Sequence, residues 1–278
     1  MDEPIGLIAA QGPLPVLAAQ GMIAAGRRVM CVGLGDVDPQ LIPLCERYQT
    51  VGIARIGKWI RLLRKWNVTT TVLVGYVRKS RMYDPFRVLR LRHIPDLRTI
   101  RMWYRKLRHD RRSNSLLRAV AFELEQSGIT MTGVAAFIPQ HISGQGVLTN
   151  TQPTPGQWDE IGFGVARLRR LGELDIGQAI AVRGQEVVAV EALEGTDAVI
   201  RRAGRLCRTE PWTLLKAPKS TQDLRLDQPV IGERTIENLK AAGASCLAIE
   251  AGRVIMIDKP NLIAAADRMG IAIVGVKL

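Results

Sequence analysis

The sequence predicts an α/β protein of two domains, an N-terminal Rossmann-like parallel sheet and a C-terminal mixed-sheet α/β domain. Three observations carry this. Short apolar runs alternate with helix-period segments from residue 5 to residue 75, a stretch rich in Gly, Thr, Gln and Pro spans 143–155, and two apolar runs beyond it flank a tight turn before the alternation resumes.

Ile5 to Ala10 is a strand-length apolar run that ends in Gln11-Gly12-Pro13-Leu14-Pro15. Val16 to Ala25 reads as helix and Arg28 to Leu34 as the next strand, a β-turn-α-β opening. Strands are expected at Thr50 to Ala54 and Thr70 to Gly75, with a helix at Gly57 to Trp66 between them. Helices follow at Asp96 to Arg108 and Ser113 to Gln126, then a strand at Ile129 to Ile138. This sets the first domain at 1–138, a linker at 139–154 and the second domain at 155–278.

In the second domain Trp158, Ile161, Val165 and Leu168 have helical spacing. Ala179 to Val182 and Val187 to Val190 flank Arg183-Gly-Gln-Glu186 as a hairpin. Helices are expected at Glu194 to Leu206, Glu233 to Ala242 and Asn261 to Met269. Strands are expected at Thr213 to Lys216, Cys246 to Glu250, Val254 to Asp258 and Ile271 to Val276.

At 278 residues, 47% apolar and 23% charged, the composition is that of a globular protein with a sizeable core. No uncharged apolar run reaches the roughly 18 residues of a membrane-spanning helix. Met1-Asp2-Glu3-Pro4 is acidic where a secretory signal carries positive charge, so export is not expected. Four cysteines, Cys31, Cys45, Cys207 and Cys246, form no C-x-x-C pair, which points to a reducing, cytoplasmic setting without structural zinc.

The net charge of +13 is uneven: residues 1–130 carry +12, and the segment from Arg55 to Arg112 alone carries +15. Such a tract attracts a polyanion, either nucleic acid or an anionic membrane. Within it Arg98, Arg101, Arg105 and Arg108 share one helical stripe and Leu97, Ile100, Tyr104 and Leu107 the adjacent one, a cationic amphipathic pattern. A solvated face packed by its apolar edge would give the same pattern. No aromatic-rich RNA-binding signature or zinc-finger spacing is present, so nucleic acid is not the expected partner.

The turn after the first strand is the usual phosphate cradle, yet Ala10-Gln11-Gly12 lacks the G-x-G-x-x-G spacing. Serine-hydrolase, zincin and Walker motifs are absent, and His93, His109 and His141 share no ligand spacing. Polar residues instead crowd into 172–235. Asp175-Ile-Gly-Gln178 precedes the hairpin, Glu191 and Glu194-Gly195-Thr196-Asp197 follow it, and Lys216-Ala-Pro-Lys219 leads to Gln222-Asp223-Leu-Arg225-Leu-Asp227-Gln-Pro229. Lysines and an arginine among carboxylates suit a phosphate with a divalent metal. Helix capping by Thr196 and Asp197 is the plainer reading of that pair.

These motifs, with Arg201-Arg202, Gly232 and Ile249-Glu-Ala-Gly252, resemble the UDP-2,3-diacylglucosamine pyrophosphatase family of lipid A biosynthesis, the metal-dependent LpxI type unrelated to calcineurin-like phosphoesterases. The resemblance is dense over 155–276 and traceable over 5–135. It implies two α/β domains and Mg²⁺-dependent hydrolysis of UDP-2,3-diacylglucosamine to UMP and 2,3-diacylglucosamine 1-phosphate (lipid X). It places the essential aspartate at Asp227. Metal ligands are then expected among Asp227, Asp223 and Asp197, and substrate contacts at Gln11, Gly12, Gln178, Glu194, Gly195, Thr196, Lys216, Lys219, Gln222 and Arg225.

The implied partners are a lipid-linked nucleotide sugar and the anionic inner-membrane surface, with the protein cytoplasmic and peripheral; a homodimer is compatible. Where the family commonly has an Asp-Asp pair before Leu-Leu-Arg, this chain has Ser113-Asn114-Ser115. A non-catalytic nucleotide-sugar or lipid binding protein on the same scaffold is the alternative.

Overall fold

The computed structural model describes residues 3–76, 94–110, 112–220 and 222–278. His93, all six basic residues from Arg78 to Arg92, and Arg111 lie outside them. The chain divides into two units, Met1–Ile138 with Arg225–Asp227, and Pro139–Leu224 with Gln228–Leu278.

The first unit is a five-stranded sheet in the order β3-β2-β1-β4-β5, built from β1 (Pro4–Ala9), β2 (Arg28–Gly33), β3 (Arg47–Thr50), β4 (Thr70–Val74) and β5 (Thr130–Met131). Every pairing is parallel. The inner strands are apolar without alternation because helices cover both faces. α1 (Leu14–Ala24), α2 (Ile56–Lys65), α3 (Leu97–Met102) and α4 (Ser113–Glu125) are the helices of this unit among the described residues. Its core joins Ile8, Val32, Trp59, Leu63, Leu124 and Met131.

The chain leaves β1 toward β2 and β3, then returns to β4 on the other side. The topological switch point therefore lies at the carboxyl ends of β1 and β4, the customary ligand position in such sheets. There Gln11 N donates to the Tyr76 carbonyl (3.2 Å) and Tyr76 N to that of Gln11 (3.0 Å). Gly12 has φ 103°, and the Tyr76 ring occupies the space a Cβ would enter.

Two strands of this unit differ from the sequence expectation. β3 runs Arg47–Thr50 rather than Thr50 to Ala54, because this edge strand alternates exposed and half-buried residues and carries no apolar run. Of Ile129 to Ile138 only Thr130–Met131 pairs with β4; past Gly133 the backbone tightens into a 3₁₀ turn at Val134–Ala136.

The second unit holds a six-stranded mixed sheet in the order β6-β13-β11-β9-β7-β8. Its strands are β6 (Gly146–Val147), β7 (Ala179–Arg183), β8 (Glu186–Val190), β9 (Trp212–Lys216), β11 (Ala244–Glu250) and β13 (Ala272–Val276), while β10 (Val230–Ile231) and β12 (Ile255–Met256) form a small parallel pair. The central strands β9, β11 and β13 are parallel; β6 and the β7–β8 hairpin are antiparallel. The helices α5 (Pro155–Glu173), α6 (Thr196–Leu206), α7 (Glu233–Ala241) and α8 (Lys259–Met269) pack on it. One face buries Val199, Trp212, Leu239 and Leu262, the other Ile161, Leu168, Leu215 and Val274.

The stretch 139–154, expected as a linker, is joined to this sheet. β6 pairs with β13, Ser143 Oγ donates to the Glu250 carbonyl (2.7 Å), and Ile273 N donates to Thr149 Oγ1 (3.0 Å). Thr154 and Gln157 then start α5 with a capping box. Among the described residues no helix is long and apolar enough to cross a membrane.

Candidate functional site

The register of the second sheet assembles a cluster of polar groups. Ala179 at the start of β7 lies opposite Lys216 at the end of β9, and Ile180 opposite Val190 at the end of β8. Gln178, Glu191 and Lys216 therefore emerge at one edge. The approach is close: Glu191 N donates to Ala179 O (2.8 Å) and Ala217 N to Gln178 O (3.0 Å). Gly177 is required here, since its φ is 57° and a Cβ would lie 1.8 Å from the Glu191 carbonyl oxygen.

Lys216 and Glu191 are only 6% and 5% exposed, so neither charge is solvated as it would be on the surface. They meet at Thr196, whose hydroxyl donates to Glu191 Oε2 (3.2 Å) and accepts from Lys216 Nζ (3.2 Å). Lys216 also donates to the Val230 carbonyl (3.0 Å). Burial raises the Glu191 carboxyl above its ordinary range; Lys216, the Thr196 hydroxyl and Lys219 oppose the shift, and Glu194 adds to it.

Lys219 Nζ reaches the Asp175 carboxylate (2.9 Å) and its carbonyl (3.2 Å), while Gln222 Oε1 accepts from Lys219 N (3.0 Å). Glu194 accepts from Ala192 N (3.2 Å) and pairs with Arg202 (3.1 Å). Neither Thr196 nor Asp197 caps α6. Gly195 is the N-cap, with φ 86° and no side-chain cap bond, and Asp197 instead holds Asn238 Nδ2 (3.1 Å) in the first helical turn. An acid there is favoured by the helix dipole.

The structure thus gathers Gln178, Glu194, Gly195, Thr196, Lys216, Lys219 and Gln222 in the second unit. Gln11 and Gly12 belong to the first unit, at its β1–β4 switch point. Arg225 and Asp227 are also counted with the first unit: Leu226 is 7% exposed within its core, and Arg225 pairs with Glu125 at 3.3 Å. Asp227 is exposed and Asp223 half-buried. Among the described residues no three His, Cys, Asp or Glu side chains gather into a group that could hold a metal. His109 is exposed beside Arg108, and His141 Nδ1 faces the Met256 carbonyl at 3.2 Å; neither joins the cluster.

Glu191 and Asp175 are part of this chemistry although sequence reasoning did not select them as site residues. The signal for Glu191 is its place directly after an apolar strand run. Asp175 lies in the polar motif before the hairpin, but its pairing with Lys219, 44 residues away, leaves no local signal.

Phosphate oxygens would find two ammonium groups, a hydroxyl and an amide at this edge, with carboxylates holding the cations in place. The known-protein comparisons fall on the same chain. The model of the LpxI N-terminal domain matches residues 4–141, and that of the LpxI C-terminal domain matches 144–274. The UDP-2,3-diacylglucosamine pyrophosphatase LpxI of Caulobacter vibrioides is 34% identical over 283 aligned positions, spanning 98% of this chain and 97% of the relative. With both domain models matched in order and a relative aligned nearly end to end, the chain belongs to the LpxI family.

Proposed function

We propose that the protein hydrolyses the pyrophosphate of UDP-2,3-diacylglucosamine, giving UMP and 2,3-diacylglucosamine 1-phosphate, as a step of lipid A biosynthesis. The observation that carries this is the end-to-end alignment with a relative named for that activity. The Lys216–Thr196–Glu191 and Lys219–Asp175 groupings support it, because a pyrophosphate needs its charge screened before water can approach.

In this reading Lys216, Lys219 and Arg225 contact phosphate oxygens. Gln178, Glu194, Gly195, Thr196 and Gln222 contact the substrate beside Lys216 and Lys219 in the second unit, and Gln11 and Gly12 in the first unit contact the nucleotide. Asp227 orients or deprotonates the attacking water. The water oxygen bonds to phosphorus as the bridging P–O bond breaks, and the two phosphate products share the released proton with solvent.

The described carboxylates form no all-protein metal cage. Asp227 in the first unit, or Asp223 or Asp197 in the second, would hold Mg²⁺ through one or two carboxylates, with water and substrate phosphates completing the shell. The ion, when bound, neutralises phosphate charge. A diacylated substrate also places the protein at the anionic inner-membrane surface, as a peripheral protein.

The test is UMP release from UDP-2,3-diacylglucosamine with Mg²⁺ or chelator, with Asp227→Asn alongside. Release that needs metal and falls more than about tenfold in the variant, ~1.4 kcal/mol of transition-state stabilisation, supports the reading. Tight substrate binding without release would replace it with a binding protein.

A further inference from the structure

The described basic tract folds against the expected amphipathic arrangement. α3 continues into a π-helical turn at Trp103–Leu107, whose i→i+5 bonds bring residues five apart toward one face. Met102 and Leu107 consequently both enter the core, at 3% and 1% exposure. The rest of the apolar stripe stays outside, and Trp103 joins it: Leu97 is 85% exposed, Tyr104 66%, Ile100 52% and Trp103 44%.

The arginines separate too. Arg98 turns toward α4, where Nε donates to Glu123 (2.7 Å) and Nη2 to Ser127 Oγ (2.7 Å). Arg101, Arg105, Lys106 and Arg108 are exposed among the apolar side chains, and Lys106 lies over the Phe122 ring. The short helix is tied to α2 by hydrogen bonds. Asp96 Oδ1 accepts from Thr99 N (2.9 Å), its Oδ2 accepts from Lys58 N (3.1 Å), and Ile56 N donates to Thr99 Oγ1 (3.1 Å), joining α3 to the first turn of α2.

We propose that this face, Leu97, Ile100, Trp103 and Tyr104 ringed by Arg101, Arg105 and Arg108, is a docking surface for an anionic lipid bilayer. Four large apolar side chains on an anchored element would cost free energy in water, and insertion among acyl chains removes that cost while the arginines meet lipid phosphates. Trp and Tyr suit the interface, being apolar in body and polar at the tip. A nucleic acid matches the arginines but leaves Leu97 and Ile100 exposed to water, so charge and apolarity together favour lipid. The inference rests on the lipid-linked substrate of the preceding section for its biological sense, though not for its test.

The experiment is co-sedimentation of the full-length protein with phosphatidylcholine vesicles, with or without phosphatidylglycerol, at low and high salt. Leu97→Glu with Ile100→Glu, and separately Arg101→Glu with Arg105→Glu, are compared with wild type after their melting curves are shown to match. We expect at least tenfold more binding to the anionic vesicles, a decline with salt, and at least a fivefold loss in each double variant. Activity on detergent-dispersed substrate should stay within twofold, while activity on vesicle-embedded substrate falls.

Equal binding by the variants and wild type, no preference for anionic vesicles, or retention on DNA without vesicle binding would each overturn the proposal. UMP release with variant-independent vesicle binding would refute the docking face and leave the hydrolase reading intact. Variant-sensitive vesicle binding without UMP release would do the reverse.

Discussion

Lys219 and Asp175 are joined across 44 residues, with Nζ 2.9 Å from the carboxylate of a residue whose φ is 61°. Asp tolerates the left-handed region better than most L-residues because its short side chain hydrogen-bonds locally. Asp175→Asn keeps that tolerance and loses the charge, so it should cost under about 1 kcal/mol. Asp175→Ala adds backbone strain and should cost roughly 1–2 kcal/mol. Urea unfolding of both variants checks the order, and equal losses would show that the turn is not strained.

Gly177→Ala is expected to be severe, because the added Cβ meets the Glu191 carbonyl at 1.8 Å and φ is positive. Strain and backbone displacement together predict a loss of roughly 3 kcal/mol or more. The shift would move Glu191 and Lys216, so kcat/KM should fall by more than the fraction unfolded explains. A variant of near-native stability and activity would mean that the β7–β8 edge is more compliant than the structure indicates.

Glu191→Gln should separate stability from activity. The native carboxyl is raised above its ordinary value of 4.5, chiefly by burial. The folded state therefore binds this proton more tightly than the unfolded state. That contribution is fully present below 4.5 and declines as pH rises through the raised native value. Gln carries no such proton, so the variant should gain stability relative to wild type as pH rises from 4 toward 7, while losing turnover because Lys216 no longer faces a carboxylate. Thermal melts across that pH range, paired with UMP-release assays, read both effects; a pH-independent stability difference would count against the buried charge.

Much of the architecture was legible because burial writes itself into apolar runs. β1, β2 and β4 lie between helix layers and read as continuous hydrophobic stretches, and Lys216 and Glu191 stand out as charges terminating such runs. β3 was misplaced because an edge strand needs no apolar run. The stretch around Ser143 and Thr149 resembled a loop in composition, since it joins the sheet through side-chain hydroxyls. Helical periodicity put Leu107 on one stripe with Leu97, Ile100 and Tyr104; the π turn changes the angular register between Met102 and Leu107, so Leu107 enters the core while the other three stay exposed. The Leu226 contact that sets Arg225–Asp227 with the first unit is long-range packing, which local sequence does not encode.

The cysteines should react in a definite order. Burial pushes the Cys246 thiol up to about 12, and Cys31, hydrogen-bonded to Cys45 and buried, is raised still further. The same contact lowers Cys45, which is also the more exposed partner. Thiolate is the reactive form. Brief alkylation at pH 8 followed by peptide mapping should label Cys45 first, with Cys31, Cys207 and Cys246 labelled only on denaturation. Early labelling of Cys246 would contradict its burial.

Glu160 offers a test at the opposite end of β7. It is 7% exposed; Oε1 accepts from Gly184 N (2.8 Å), and Oε2 accepts from the Thr213 hydroxyl. Glu160→Ala leaves the buried Thr213 hydroxyl without its acceptor, while the exposed Gly184 N–H can turn to water, and should cost about 1–3 kcal/mol. Thr213→Val removes one donor and should cost about 1 kcal/mol. Because the two side chains share a bond, the double variant should lose less than the two losses combined, by about 1 kcal/mol. The cluster at Lys216 lies at the other end of the strand, so KM should stay within twofold of wild type in whatever fraction remains folded. Additive losses would show that Thr213 is satisfied elsewhere, and a raised KM would show that the two ends of β7 are mechanically coupled.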